Sequence, residues 1–218
     1  YYAGQMGIPV NRFICASNKN RVLTDFFENG EYDINRDFYL TNSPSMDILI
    51  SSNLERLLYH LSGNDGDEIK SLMDALENEK HYMVSDKIRE GMKDFCGGSA
   101  TVEETNETIG QMYDEHRYLM DTHTAVAYKV YKDYVEKTGD ETPTLIASTA
   151  SAYKFAESVA QAIGLAKEDN GFEYVKAVEA ATGVKVPSGL KDLDKKEIRH
   201  RDVIEIPDMI GAVESSVK

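Results

Sequence analysis

A chain of 218 residues, 41% of them hydrophobic, is large enough to bury one core or a core with a satellite. With 24 Lys and Arg against 38 Asp and Glu the formal charge is -14, so the surface repels the nucleic-acid backbone and anionic membrane alike. The apolar runs are strand-sized pieces such as Leu145-Ile146-Ala147, far below the roughly 18 residues of a membrane span, which predicts a soluble chain.

Tyr1 to Met6 reads as the last turn of a helix, stopped by Gly7 and followed by Pro9. Six residues are too few to start and finish a stable helix, so polypeptide is expected upstream. Arg12 to Ala16 is a short apolar run that empties into Ser17-Asn18-Lys19-Asn20, as a buried strand delivering a loop would. Cys15 lies in that run and Cys96 stands beside Gly97-Gly98; without CxxC or Cys/His ligand spacing they read as free thiols in a reducing, cytoplasmic setting.

A helix is predicted over Val22 to Glu28, closed by Asn29-Gly30. Ser43-Pro44 then offers a capping hydroxyl and a proline at the first helical position, and Met46, Leu49, Ile50, Asn53, Leu54, Leu57, Leu58 and Leu61 share one stripe, so a long helix is expected from Ser43 to Leu61. Acidic helical stretches follow, punctuated by Gly63, Gly66, Gly97 and Gly98, with Thr101-x-x-Glu104 as a capping box.

Two strand-to-helix steps come next. Tyr118-Leu119-Met120 leads into Asp121-Thr122-His123-Thr124 and a helix carrying Val126, Val130, Tyr131 and Tyr134, and Thr144 to Ala147 leads into Ser148-Thr149-Ala150-Ser151 and a helix from Lys154 to Gly164. Smaller helices over Phe172 to Thr182 and Pro207 to Val217 flank a lysine-rich turn. Strands alternating with helices predict an α/β fold with a parallel sheet flanked by helices and a helical insertion. The chain divides into 1–61, an acidic helical insertion over 62–114, and 115–218.

In open α/β sheets ligands sit beyond the carboxyl ends of strands, near helix N-termini that favour anions. Asn42-Ser43-Pro44-Ser45, Asp121-Thr122-His123-Thr124 and Ser148-Thr149-Ala150-Ser151 occupy such places. Singly, Ser43, Thr122 and Thr124 also read as ordinary caps, His123 as a hydrogen-bonded structural imidazole and Lys154 as a solvated cation. Three hydroxyls clustered after one strand exceed what a helix start needs. There is no GxGxxG, GxxxxGK[ST], GxSxG or HExxH, and spacing alone does not yield a reaction.

The string Ser43-Pro44-Ser45-Met46-Asp47-Ile48-Leu49-Ile50-Ser51-Ser52-Asn53-Leu54-Glu55-Arg56 resembles a characteristic block of threonine synthases. Asp121-Thr122-His123-Thr124-Ala125 and Ser148-Thr149-Ala150-Ser151-Ala152-Tyr153-Lys154-Phe155 resemble two further blocks in the same order, with Ala152 where many relatives have proline. The resemblance covers most of residues 1–165. It implies the C-terminal part of a fold-type-II pyridoxal-phosphate catalytic domain, acting on O-phospho-L-homoserine and water to give L-threonine and phosphate. The Schiff-base lysine and the glycine-rich phosphate loop would lie in an N-terminal part outside this chain, leaving it inactive alone. On the matched positions Thr149 would bond the pyridine nitrogen and Ser148 and Ser151 would shape that wall. Ser43 and Lys154 would contact the substrate near its phosphate or hold the loop around it, and His123 and Thr124 would line or support the site. The competing readings are another fold-type-II lyase, such as an amino-acid dehydratase or β-replacement enzyme, and a non-enzymatic acidic interaction domain.

Overall fold

The computed structural model describes residues 1–217, which form two compact units, Tyr1–Val186 and the segment from Pro187 onward. In the first, a single helical turn α1 (Tyr2–Gln5) ends before Gly7, whose φ of 95° is the left-handed geometry that favours glycine. Strand β1 (Phe13–Ser17) follows, then α2 (Val22–Asn29), closed by Gly30 at φ 78° as the sequence predicts.

β1 pairs in parallel with β4 (Phe95–Ser99), Phe13 opposite Phe95 and Ser17 opposite Ser99. Gly97 and Gly98, expected as punctuation in a helical region, are the middle of this strand. A Cβ at Gly97 would lie 2.6 Å from Thr24 Cα of α2, and one at Gly98 2.5 Å from Val130 Cγ1 of α7 (Thr122–Thr138). Successive residues of a strand face opposite sides, so the two glycines let one helix approach each face. This is a small parallel sheet sandwiched by helices, the α/β arrangement expected.

The antiparallel pair β2 (Glu31–Asp33) and β3 (His81–Met83) sits on the main core, with Tyr32 and Tyr82 stacked at 5.3 Å. Residues 62–114 thus hold β3 and β4 alongside α4 (Gly66–Glu79), α5 (Asp86–Gly91) and α6 (Val102–His116), and one of those strands belongs to the central sheet. The capping box Thr101–Glu104 forms, with Thr101 N donating to Glu104 Oε2 at 2.8 Å and Glu104 N to Thr101 Oγ1 at 3.1 Å.

The helix predicted from Ser43 to Leu61 is two elements: a 3-10 turn over Pro44–Met46 and α3 (Ser52–Leu61). The cause is Tyr32, whose hydroxyl donates to Leu49 O and accepts from Ser51 N, both at 2.9 Å, taking groups a continuous helix would need for itself. Leu54 and Leu58 of α3 then pack with Val22, Phe26, Tyr32, Ile69, Leu76 and Ile88 in the larger apolar core. A second core joins Ile109 of α6, Met120, Ala125, Ala152 and Val159.

The strands predicted at Tyr118–Met120 and Thr144–Ala147 have no ladder partner among the described residues. An apolar extended run signals a strand, but a ladder also needs a neighbour in register. Met120 is buried nonetheless, whereas Leu145 is 91% exposed. Beyond it, the helix predicted from Lys154 is a 3-10 turn over Ala152–Phe155 followed by α8 (Ala156–Ala162), with Gly164 at φ 77°, and α9 (Gly171–Thr182) packs on α8.

The second unit has turns over Leu193–Lys195 and Ile206–Asp208 and one helix, α10 (Met209–Ser216). Ile206, Ile210, Val213 and Val217 recur at helical spacing and all are exposed. No helix among the described residues is long and apolar enough to cross a membrane.

Candidate functional site

Asp121 caps α7 and is the centre of the site. Its side chain is completely buried, and Oδ1 accepts the amides of His123 (2.9 Å) and Thr124 (3.4 Å) while Oδ2 accepts the Thr124 hydroxyl. A buried carboxylate is costly unless donors surround it, and here they come from the first helical turn, where the macrodipole also favours negative charge. The N-terminus of α7 is therefore filled by its own cap rather than left open for an external anion.

His123 and Thr124 carry this cap outward in two directions. Thr124 Oγ1 lies 2.9 Å from Ser148 Oγ, at the outlet of the extended segment 144–147. His123 places Nδ1 3.2 Å from Asp121 Oδ1, and its Nε2 accepts the amide of Ser45 at 3.1 Å. The ring of Phe155 packs on the imidazole at 4.7 Å, and Lys154 Nζ lies 5.5 Å from the centre of that ring. Three segments separated by up to a hundred residues thus meet at one histidine and one threonine.

Ser43 is completely buried and makes no side-chain cap, contrary to its reading as the N-cap of a helix. Its Oγ accepts from Asn18 Nδ2 at 3.0 Å and lies 3.1 Å from Thr41 Oγ1. Asn18 Nδ2 also donates to Thr41 Oγ1 (2.8 Å) and Asp47 Oδ1 (2.7 Å), and Asn20 Nδ2 reaches Tyr39 O (2.7 Å) and Asp47 Oδ1 (3.2 Å). Asp47 Oδ2 accepts the amide of Thr41 at 2.9 Å. Ser43 therefore holds the turn from below, a supporting position rather than an open contact surface.

Thr149 is exposed and its hydroxyl makes no hydrogen bond among the described residues. Ser151 Oγ accepts the amide of Tyr153 at 3.3 Å, capping the 3-10 turn, and Lys154 is exposed beyond it. Ser148, Thr149 and Ser151 present neutral hydroxyls and no carboxylate, a donor set that fits an unprotonated pyridine nitrogen. A cavity of about 460 Å³ between α6 and α7, lined by Glu104, Glu107, Tyr128, Lys129 and Asp133 among others, shares no residue with this cluster.

Sequence reasoning missed Asp121, Asn18, Asn20, Asp47 and Phe155 as working residues. Asp121 was legible as the residue before Thr122-His123 at a helix start, and the Asn18-x-Asn20 pair as amides at the mouth of a buried strand. Asp47 gave no such signal, because its partners come from two other places in the chain, Asn18–Asn20 and Thr41.

Residues 124–217 match the family described as "Threonine synthase, C-terminal". The structure superposes on threonine synthase from yeast with a TM-score of 0.81 at 30% identity, covering 100% of this chain and 44% of that one. It also superposes on a pyridoxal-phosphate-bound threonine synthase from Brucella melitensis, with a TM-score of 0.75 at 33% identity over 90% of this chain and 38% of that one. The chain matches the C-terminal part of threonine synthases. Threonine synthase-like 1 of Homo sapiens is 43% identical over 172 residues, 78% of this chain and 22% of that protein. The chain thus spans well under half the length of the relatives it matches. The segments that converge on His123 and Thr124 are the same ones whose sequence resembles this pyridoxal-phosphate-using family.

Proposed function

We propose that the protein carrying this chain is a cytoplasmic pyridoxal-phosphate-dependent lyase that converts O-phospho-L-homoserine and water to L-threonine and phosphate. The observation that carries the reading is the meeting of the Ser45, His123–Thr124 and Ser148 segments, each drawn from a different family-like block, around the buried Asp121 cap.

Pyridoxal phosphate, when bound, supplies an electron sink that stabilises carbanionic charge on the substrate. The chain's own residues do the rest of what can be assigned to this wall. Thr149 would donate its hydroxyl to the pyridine nitrogen; unlike a carboxylate it brings no charge to hold a ring proton, so it would favour the neutral ring. Ser148, fixed on Thr124, sets the position of Thr149 by one peptide, and Ser151 fixes the turn that follows. Because the α7 amides are taken by Asp121, the substrate phosphate is met by Lys154, whose ammonium is exposed on the Phe155 side of the imidazole.

The reactive lysine and the cradle for the cofactor phosphate belong to a part of the protein upstream of residue 1. Residues 1–218 alone then form no threonine even with added cofactor.

Incubating the full-length protein with cofactor and O-phospho-L-homoserine tests the reading, with threonine and phosphate appearing in equal amounts. A second reading is another fold-type-II lyase, such as an amino-acid dehydratase, which would release phosphate but end in a 2-oxo acid. Phosphate release accompanied by oxo acid and no threonine would decide for it.

A further inference from the structure

We propose that His123 is a positioning residue that works through a single tautomer, holding the Asn42–Met46 turn against the start of α7. Its effect on substrate binding rests on the function proposed above; the tautomer itself rests on geometry alone.

Both ring nitrogens are assigned by their neighbours. Asp121 Oδ1 is a carboxylate oxygen and can only accept, so the proton in the 3.2 Å contact belongs to His123 Nδ1. The Ser45 amide can only donate, so Nε2, 3.1 Å away, carries the lone pair. The Thr122 hydroxyl, 3.4 Å from Nδ1, can accept from the same proton. The opposite tautomer or the imidazolium would set N–H against N–H at Ser45 and leave that amide without its acceptor. The side chain is only 11% exposed, and Phe155 covers one face, so rotation of the ring does not relieve the conflict.

The turn has three anchors. Asn42 Nδ2 donates to Asn106 Oδ1 of α6 at 2.8 Å, Ser43 is held by Asn18, and Ser45 is held by His123. The first two use amides and hydroxyls that do not titrate. The third is lost when one proton is added. The charged groups facing the imidazole are Asp121 on its own cap and Lys154 across the Phe155 ring, while Pro44, Ser45 and Met46 contribute none. Asp121 would stabilise the imidazolium, but no group at Ser45 can replace the lost acceptor. Acidification therefore frees the end of the turn nearest the site and leaves its base in place.

The test uses the full-length protein with 15N-labelled histidine and backbone. Expected are a protonated Nδ1 and a bare Nε2 in the neutral ring, with a Ser45 amide protected from exchange that becomes unprotected once acidification protonates the imidazole. A protonated Nε2 in the neutral form, or Ser45 protection indifferent to pH, overturns the proposal. Two variants separate the anchor from mere ring packing: His123→Gln keeps an acceptor at the ε position, and His123→Asn keeps only a donor towards Asp121. KM for O-phospho-L-homoserine should rise about tenfold in H123N, the worth of one hydrogen bond, and less in H123Q, with kcat moving little. H123Q should also lose the acid-side rise in KM expected of the wild type. Equal damage in both variants overturns the proposal. If the wild type does not turn over this substrate, the functional reading falls, and the tautomer and the Ser45 amide still decide the role of His123.

Discussion

Phe26, Leu58 and Ile88 are fully buried among apolar atoms, whereas Asn18, Ser43 and Asp121 are buried just as deeply among amides, hydroxyls and carboxylates. Apolar burial is non-directional and scales with area, so the first region resists loss of volume but says little about where any one atom must lie. The second region is directional. Asn18 Nδ2 reaches three side chains of the 41–47 turn, and Asp121 accepts from four groups of α7, so these residues fix the path of loops rather than the mass of the core. The apolar region makes the fold; the polar region places Ser45, His123 and Ser148 within reach of one another.

Perturbing each region in turn sharpens that contrast. The largest effect is expected from Phe26→Ala, which empties the centre of the main core and should lower global stability by about 3–5 kcal/mol, read from urea unfolding. Asn18→Asp should cost on the order of 3 kcal/mol by setting a second carboxylate against Asp47 in a buried site. Here the loss should shrink on acidification, because protonating one carboxylate removes the repulsion, whereas the F26A loss should not. Matching pH profiles for the two variants would erase the distinction. Ser43→Ala removes one hydroxyl from the network and should cost about 1 kcal/mol, with faster hydrogen exchange confined to Thr41–Met46 and unchanged protection in β2 and β3.

How much of this was legible follows the same division. The helix over 22–29 with its Gly30 stop, the Thr101–Glu104 box and the alternation of strand and helix were readable because each depends on local geometry or period. The break in the helix expected from Ser43 to Leu61 was not, since the apolar stripe through Leu49, Leu54 and Leu58 is genuine helical spacing. What interrupts it is a hydroxyl delivered from Tyr32, a long-range fact. Gly97 and Gly98 misled for a related reason: in sequence glycine marks turns, but here it marks two helices pressing on the two faces of one strand. Within the site, the local motifs flagged His123, Thr124 and Ser148 by kind. The Asp121 cap beneath them is local, but what brings them together, Ser45 on His123 and Ser148 on Thr124, is tertiary.

Cys15 lies between the two regions and gives the smallest effect. It is carried on β1 and makes none of the hydrogen bonds that compensate Asn18, and burial, followed by the neighbouring Cys96, pushes its thiol from the ordinary 9.0 up to about 11. A group whose pKa is raised by folding favours the native state in its protonated form. Its contribution is therefore complete below pH 9.0 and is lost progressively as the pH climbs towards about 11. Tyr82 and Tyr32 are also shifted upwards by burial and add to the same alkaline loss, so the wild-type curve alone does not isolate the thiol. Comparing urea midpoints of the wild type and Cys15→Ala through this interval does, since the tyrosines are common to both. The wild type should fall more steeply than C15A. Parallel curves would mean that the thiol is as well solvated in the native chain as in the unfolded one, and would move Cys15 out of the apolar region altogether.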